Sequence, residues 1–470
     1  MMTLLAISFV VIYFGGLAIV LRAISKGKFQ YLLVYLVTFL PVYIVFLSFT
    51  YTHTESVILV RVIQYSKELI LLYAVVIWSL GNEDNLIIKK WNISTLDWLF
   101  ILFIFLSLIY LIIPLGEASL TNKAIYFKNI LLLGIVYFFG RQIDISWVNW
   151  NRIFKVIFFV TSLAFLVVVS EKLFGRHFHS IIGYSNYNLA INGIEPAGNY
   201  GLIWTFEAQA GQPRYGAFFS NPLEFSASML ICFSLSVIYL LSVKYNTNRS
   251  KYLLILLFSF VCVLLAYSRA TMVTFFGVLV FMAFLLKYYR ILIAAGSAVI
   301  LLSLYVLYFA PDDTRYFVTD TLMFQNSSSI THVIEWSDGI DSMVQNPFGI
   351  GLAMSGNAGG VEDELRISGE NQFLIYGVQL GVLGMLTYIF MIGYAIVHSW
   401  KAFRRAELRQ EQIIPFTAAC VKFGLLLPLL TANAESYLYV SLVSWWLVGA
   451  SETLFQKYKM KNSITYHSVL

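Results

Sequence analysis

Apolar runs of about 20 residues recur along almost the whole sequence, and few charges interrupt them. A run of that length is what a helix needs to cross the hydrocarbon core of a bilayer. Of the 470 residues, 59% are hydrophobic and only 12% are charged, whereas roughly a quarter of a soluble domain is charged. A water-soluble fold could not bury so much apolar surface, so the sequence predicts an all-α polytopic membrane protein.

The apolar runs predict about 12–13 transmembrane helices. They begin near Leu4, Gln30, Ser56, Leu96, Lys123, Arg152, Pro222, Tyr252, Ala270, Ile291, Gln372, Ile413 and Ser436. We find no internal repeat and no low-complexity tract, so residues 1–470 are expected to form a single integral membrane domain. The first run ends at Arg22 without a small-residue cleavage pattern, so no cleavable signal peptide is expected.

Basic residues concentrate in alternate loops between the predicted spans. The loops that carry them contain Arg22, Lys26 and Lys28; Lys89 and Lys90; Arg141 and Arg152; Lys244, Arg249 and Lys251; Lys287 and Arg290; Lys401, Arg404, Arg405 and Arg409; and Lys457, Lys459 and Lys461. Short cytoplasmic loops carry such an excess of Lys and Arg. The pattern predicts an outside N-terminus and an inside C-terminus, and it explains the net charge of +6 without a nucleic-acid partner.

Two long segments then fall outside the membrane, at residues 171–220 and 311–370. The second holds ten acidic residues against two arginines, Arg315 and Arg366. Long loops on a compact bundle are usually functional. Within the second loop, apolar residues at near-helical spacing predict an amphipathic helix, which Asn346-Pro347 ends. These apolar residues are Ile330, Val333, Ile334, Ile340 and Val344.

The third predicted span carries an unusual set of polar residues, Arg61, Gln64, Lys67 and Glu68. Their spacing of three and four residues places them near one face of a helix. A charge within a span costs roughly 3 kcal/mol on insertion scales, so the set needs a reason. Two interpretations remain open: a buried polar seam that orders the bundle, or an anion-binding site. Lys422, in a late span, poses the same question.

The sequence gives no support for a metal or a soluble cofactor. The six histidines are scattered, and the three cysteines Cys232, Cys262 and Cys420 lie separately within apolar runs. We expect these cysteines to be buried, inert side chains. A Walker loop, a dinucleotide-binding glycine pattern and a zincin pair are all absent from the sequence.

Three charged residues at the ends of outside loops are candidates for chemistry. Arg214 lies in QPRYGAFFSNP, where the first long loop re-enters lipid, and Arg269 lies in AYSRAT, at the start of a span. Each is either an ordinary interfacial arginine or a guanidinium aimed at a phosphate in an outside cavity. Glu370, in GENQFL, either complements a helix dipole or takes part in catalysis.

Three ordered motifs together resemble the O-antigen polymerase and ligase superfamily of bacterial envelope glycosyltransferases. They are RYGAFFSNPLEFS from Arg214, YSRAT around Arg269, and a series from His332 to Leu374 that contains a tryptophan, NPFGIGLAMSG and GENQFL. The motif region covers about Arg214 to Gly384. The chain departs from the family pattern at two positions: Glu370 stands where many members have histidine, and His332 where many have another basic residue.

The resemblance implies a metal-independent inverting glycosyltransferase at the outer face of the bacterial cytoplasmic membrane, with no cofactor. The implied donor is an oligosaccharide on undecaprenyl diphosphate, and the acceptor is a sugar hydroxyl. Arg214 and Arg269 would neutralise the leaving diphosphate, and Glu370 would be the general base. Reserve candidates for the base are Glu224, Glu335 and Asp338. Candidate substrate-binding residues are Arg366, Asn371, Glu224, His332 and Asn221.

The preferred function is a polymerase that joins lipid-linked repeat units, because the chain resembles a divergent, aromatic-rich member of the superfamily with no other domain. The alternative within the superfamily is a ligase that transfers the glycan to a lipid A core or a protein. Membrane lipid, a chain-length regulator and a flippase are implied partners. The rival from another class is a polysaccharide or lipid transporter, for which charged spans would line a pathway; the sequence shows no two-half symmetry.

Overall fold

A computed structural model of the protein describes residues 2–80, 93–142, 148–208, 211–242, 249–311, 327–356, 366–367, 369–407 and 409–467. Helices dominate these residues, and their strand-like pairing is limited to an isolated bridge between Glu207 and Pro213. The predicted all-α class is confirmed. Parts of the second long loop, residues 312–326, 357–365 and 368, lie outside the described residues.

The helices follow the apolar runs closely. In chain order they are α1 Met2–Ile24, α2 Gln30–Phe39, α3 Tyr43–Thr54, α4 Val57–Leu80, α5 Thr95–Ile112, α6 Leu120–Gln142, α7 Trp150–Phe174, α8 Phe178–Ile181, α9 Tyr184–Tyr187, α10 Pro222–Ser242, α11 Arg249–Leu265, α12 Arg269–Leu285, α13 Tyr289–Tyr308, α14 Ser327–Gln345, α15 Gln372–Arg405, α16 Arg409–Gly424, α17 Leu426–Thr431 and α18 Leu438–His467. Each predicted span start lies within four residues of the start of one of these helices.

Seven helical segments of the described chain are long and apolar enough to cross a membrane. They are Thr95–Ile112, Leu120–Gln142, Trp150–Phe174, Pro222–Leu241, Gln372–Arg405, Glu411–Thr431 and Leu438–Lys459. The pair α2 and α3, bent by 59°, would make eight. Two shorter apolar helices, Ser8–Ile24 and Arg269–Leu285, add to this set, which is taken by length and composition over the described residues. The chain is a multi-pass membrane protein.

The C-terminal helix α18 lies at the centre of the bundle and packs against α6, α15 and α16. Trp445 and Trp446 on this helix are fully buried. Where α18 crosses α6 the backbones touch: a Cβ at Gly140 would lie 2.2 Å from the carbonyl oxygen of Trp446, and one at Gly449 would lie 2.2 Å from that of Tyr137. Small residues permit such close approach, which is how helices associate in lipid.

The glycine-rich segment after α14 docks into a break in α15. The Ile350 amide donates to the Val378 carbonyl at 2.8 Å, and the Val382 amide donates to that of Pro347 at 2.9 Å. The break lies at Gly381, whose φ of 74° and ψ of −179° are essentially restricted to glycine. A Cβ there would lie 2.5 Å from the Pro347 carbonyl oxygen. The motif NPFGIGLAMSG thus holds the second long loop against α15.

We expect Gly381→Ala to destabilise the protein by about 1–3 kcal/mol, because alanine is strained in this conformation and its methyl group meets backbone. Gly393 provides a matched control: it lies in the same helix, and a Cβ there has open space within 4 Å. Thermal unfolding in detergent should show a lower midpoint for Gly381→Ala and no loss for Gly393→Ala. Equal midpoints for the two variants would contradict the proposed docking role.

The polar residues of α4 bind one another and their neighbours. The Lys67 Nζ lies 3.2 Å from Glu68, and the Lys128 Nζ lies 2.9 Å from the same carboxylate. Lys67 also donates to the hydroxyl of Tyr43 at 2.9 Å, and Arg61 donates to the side chain of Gln64 at 2.9 Å. The set matches the predicted polar seam and leaves no open anion site at Lys67. The three cysteines are buried and free, as predicted.

Candidate functional site

A cavity of about 560 Å³ brings together predicted site residues from four distant parts of the chain. Arg214, Arg269, His332 and Glu370 all line it, and so does Asn221. Apolar side chains from the helices α10, α12 and α17 form the rest of the wall. These are Leu223, Val273, Leu427 and Pro428. The cavity therefore offers charge and an apolar surface to one ligand.

Two guanidinium groups line this cavity, and neither has a carboxylate partner among the described residues. Neither Arg214 nor Arg269 forms an ion pair with any described residue. The Nε of Arg214 is buried and has no hydrogen-bond partner in the described part of the chain. Burial, and then the positive charge of Arg269, lower the pKa of Arg214. Two like charges held together with unused donors form an arrangement that an anion would stabilise.

The backbone around Arg214 is fixed by several hydrogen bonds. The Arg214 amide donates to the carbonyl of Phe206 at 2.8 Å, and the next amide, Tyr215, donates to that of Leu265 at 3.2 Å. Glu171, at the end of α7, accepts from the Ala217 amide at 3.0 Å. Thus the first long loop and α11 jointly position this arginine.

Two buried histidines support the same loop. His177 is only 2% exposed and packs its ring against Tyr200 and Tyr215. The Nε2 of His179 lies 2.7 Å from the carbonyl of Phe219. Burial lowers the pKa of His177 to about 4 and that of His179 to about 3. Both rings are therefore neutral in the folded protein near pH 7.

This burial predicts an acid-sensitive loop. In an unfolded chain a histidine has a pKa near 6.5, so below that pH the unfolded state binds more protons than the folded state. Stability falls as the pH drops from about 6.5 to about 4 for His177, by at most about 1.4 kcal/mol per pH unit for each histidine. Thermal unfolding of His177→Phe should depend less on pH over this range than that of the unaltered protein. Identical pH slopes would show that His177 does not contribute.

Arg269 begins α12 and occupies a position that helix stability does not favour. Ser268 caps the helix, accepting from the Thr271 amide at 3.4 Å through its hydroxyl. The N-terminus of a helix carries partial positive charge, so a cation there is unfavourable. The same helix end, with its arginine, favours an anionic ligand. Ser268 and Thr271 both line the cavity beside it.

Across the cavity, the imidazole of His332 meets the carboxylate of Glu370. The His332 Nδ1 lies in close contact with a Glu370 carboxylate oxygen. His332 lies on α14, and Glu370 immediately precedes the N-cap of α15. Glu335, one turn along α14 from His332, accepts from the Gly369 amide at 3.0 Å and so fastens the two segments together. Burial, followed by the charge of Glu370, raises the pKa of Glu335.

The segment before α18 lines the cavity but was missed by the sequence analysis. It contributes Asn433, Ser436 and Tyr437. The sequence signal is weak, because these residues form a short polar interruption between two apolar runs and belong to none of the three motifs. The cluster of Asn433, Glu435 and Ser436 at that interruption is the local cue that the sequence offers.

Glu435 fastens the segment before α18 to the neighbouring helices. Its amide donates to the Gln372 side chain at 3.1 Å, which ties the segment to the start of α15. Its buried carboxylate accepts from three side chains and lies 3.9 Å from the Nζ of Lys422, which sits 3.6 Å from the ring centroid of Trp445. The three donors are the Tyr388 hydroxyl, the Trp445 indole and the Ser441 hydroxyl. Lys422, singled out from the sequence, thus has a structural partner.

Other predicted site residues lie outside the cavity. Asn371 caps α15, its Oδ1 accepting from the Phe373 amide at 3.0 Å. Glu224 is 3% exposed and accepts from the Tyr439 amide at 3.1 Å. Arg366 donates to the Gly356 carbonyl at 3.2 Å, and Asp338 is exposed on α14. The structure does not bring these four side chains to the cavity.

Asn221 differs from them, because it lines the cavity while capping α10. Its Oδ1 accepts from the Leu223 and Glu224 amides at 3.0 and 2.9 Å. In the part of the chain that the structure describes, no group of three His, Cys, Asp or Glu side chains could hold a metal ion. Positive charge in the cavity comes from Arg214 and Arg269.

The apolar face predicted for α14 is exposed in the part of the chain that the structure describes. Within the described residues, α14 packs on α15 through Trp336 and Met343. Its apolar stripe is 45–75% exposed and comprises Ile330, Val333, Ile334, Ile340 and Val344. In a membrane protein such a face is suited to the lipid interface. His332 therefore reaches the cavity from a helix that packs on α15 with one side and is exposed on its apolar side.

The cavity lies at one end of the bundle. α10, α12, α15 and α18 each present their N-terminal ends to it. A 20-residue helix is about 30 Å long, so the opposite ends of these helices are far from the cavity. Basic residues lie at or just beyond those opposite ends: Arg249, Lys287, Arg290, Arg404, Arg405 and Lys457.

Comparison with known proteins supports the resemblance. Residues 254–389 match the family model described as O-Antigen ligase. The matched stretch includes Arg269, His332 and Glu370, whereas Arg214 and Tyr437 lie outside it. No curated protein matches the chain. The match confirms the predicted resemblance to the O-antigen polymerase and ligase superfamily in the region that carries most of the cavity's charged residues.

Proposed function

We propose that this multi-pass membrane protein, whose residues 254–389 match the O-antigen ligase family, is a glycosyltransferase that polymerises lipid-linked oligosaccharides. The observation that carries the proposal is the composition of the cavity. Two arginines that have no carboxylate partner among the described residues lie in the same cavity as a histidine and a glutamate in contact with each other. The first pair suits a departing phosphate, and the second suits removal of a proton from an attacking hydroxyl.

The arginines act on the leaving group. Arg214 and Arg269 bind the diphosphate of a polyprenyl-diphosphate-linked glycan, where their planar donors match phosphate oxygens. As the bond between the anomeric carbon and the diphosphate oxygen breaks, negative charge grows on that oxygen. The two guanidinium groups stabilise this charge, and the proposal needs no metal for it. The apolar residues Val273 and Leu427 beside them suit the start of the polyprenyl chain.

The His332–Glu370 pair acts on the acceptor. The hydroxyl oxygen of the acceptor sugar attacks the anomeric carbon, and its proton passes to the pair as the new bond forms. A single displacement of this kind inverts the anomeric configuration. Asn433, Ser436 and Tyr437 supply neutral hydrogen-bonding groups around the reacting sugars.

In this proposal the site faces the outer side of the bacterial cytoplasmic membrane. The cavity is formed at the helix ends opposite the basic loops, and cytoplasmic loops are the ones that carry excess Lys and Arg. The charged side chains of α4 are engaged with one another, so they offer little support for a transport pathway.

Reconstitution tests the polymerase proposal. The full-length protein in vesicles should convert a polyprenyl-diphosphate-linked repeat unit into a ladder of longer lipid-linked products. A single transfer to a lipid A core or protein acceptor, without a ladder, would favour the ligase alternative. Movement of the substrate across sealed vesicles with no new glycosidic bond would overturn the enzyme assignment.

A further inference from the structure

A second cavity lies between α7, α10 and α11, at the opposite end of the bundle from the glycosyltransferase candidate site. Its volume is about 550 Å³. Asn151, Lys155 and Lys251 line it together with aromatic side chains and Ile255. Lys155 stands near the start of α7 and Lys251 near the start of α11. We propose that this cavity binds the phosphate headgroup and upper acyl chains of an anionic phospholipid.

The charge of the cavity is unbalanced. Neither Lys155 nor Lys251 forms an ion pair with any described residue. The sequence contains no Asp or Glu at 145–170 or at 225–311, so the two helices that carry these lysines supply no counter-charge nearby. Arg152 and Arg249, both exposed, add further positive charge at the same helix starts. A ligand with negative charge would fit this end of the cavity.

The floor of the cavity is a packed aromatic cluster. The rings of Tyr239 and Tyr252 stack with their centroids 5.0 Å apart, and Phe158 packs 5.7 Å from each of them. The Tyr239 hydroxyl donates to the Asn151 side chain at 3.1 Å. Because these contacts join α7, α10 and α11, the floor is built by the fold and does not depend on a ligand to form. Tyrosine is suited to the headgroup level of a bilayer.

The cavity also has an apolar extension. Its lining along α7 runs from Asn151 to Ser162, which at 1.5 Å per residue is a length of roughly 16 Å. Phe159, 67% exposed, stands on the side of α7 toward the surroundings. A free phosphate ion would use only the lysine end. A phospholipid would use both ends, because its headgroup meets the lysines and its acyl chains follow the aromatic wall.

Binding to the full-length protein tests the proposal. The probes are phosphatidylglycerol, phosphatidylcholine and inorganic phosphate, and the readout is native mass spectrometry of the detergent-solubilised protein. Each lysine near a membrane surface contributes a factor of about five in affinity for anionic lipid. The double variant Lys155→Ala/Lys251→Ala should therefore bind phosphatidylglycerol on the order of 25-fold more weakly. Binding of the zwitterionic phosphatidylcholine should be weaker from the start and unchanged by the substitutions.

Two further double variants test whether the loss of lipid binding is specific to this cavity. Lys155→Arg/Lys251→Arg keeps the charge and should bind phosphatidylglycerol as the unaltered protein does, which guards against misfolding of the alanine variant. Lys287→Ala/Arg290→Ala removes two basic residues at another loop and should leave binding unchanged. Equal loss in that control would show general surface charge and overturn the site. Competition by inorganic phosphate at equal affinity would overturn the lipid assignment, and so would unaltered binding in the alanine double variant.

Discussion

Replacing Arg214 or Arg269 by alanine is expected to lower the rate of glycan transfer by about 10²–10³-fold each, while the protein still inserts in the membrane. Removal of one group that stabilises a developing negative charge typically costs this much. Neither arginine holds a carboxylate in the described structure, so their loss breaks no ion pair of the fold. The loss should therefore appear in catalysis and leave thermal unfolding nearly unchanged.

Lysine variants refine this prediction. Arg269→Lys keeps the positive charge but loses the planar pair of donors, so it should retain partial activity, with about a tenfold loss. Arg176→Ala is the matched control: this arginine belongs to the same predicted outer loop, is exposed and does not line the cavity. The measurement is the product ladder formed in vesicles at matched protein levels. Normal polymer from both alanine variants would contradict the leaving-group assignment.

The positions of the helices could be predicted because each follows from a local apolar run. What the runs could not predict is how each helix behaves in the bundle. The bend between α2 and α3 lies at Pro41 and so has a local cause, whereas the break at Gly381 depends on contacts from a segment far away in sequence. For α15, the break exists because the segment around Pro347 hydrogen-bonds into it.

The candidate site was predictable to the extent that unusual residues stood at loop ends. Arg214, Arg269 and Glu370 were found because a charge next to an apolar run demands an explanation, and the structure brings all three to one cavity. Asn371 and Glu224 stood in the same motifs, yet they cap or fasten helices. A polar side chain at the start of a helix can line a binding site or can cap the helix. Only the tertiary structure distinguishes these two roles.

The contact between His332 and Glu370 could not be derived from sequence at all. The residues are separated by the glycine-rich segment, and the resemblance alone implies different roles for them, substrate binding for His332 and proton removal for Glu370. The structure places them in close contact. The contact forms because residues 346–351 dock against α15. The chain reverses direction there, so α14 packs beside the start of α15. Because the two side chains are in contact, we expect them to act together in removing the acceptor proton.

If the two residues remove the acceptor proton as a unit, each single substitution should lower the transfer rate by about 10²–10⁴-fold. Glu370→Gln keeps the size of the side chain and removes its charge, so it should be strongly impaired, whereas Glu370→Asp should keep partial activity. His332→Gln should be impaired to a similar degree. Asp341→Asn is the matched control, since Asp341 is exposed on the same helix α14 and does not line the cavity.

The double variant His332→Gln/Glu370→Gln distinguishes a unit from two independent groups. Residues that act together are strongly non-additive, so the double variant should be no slower than the worse single variant. Single-turnover rates with lipid-linked donor provide the measurement, and they separate proton removal from donor binding. Effects that add fully in the double variant would argue for two independent roles. Full activity of Glu370→Gln would remove this carboxylate from the mechanism and leave His332 to act without it.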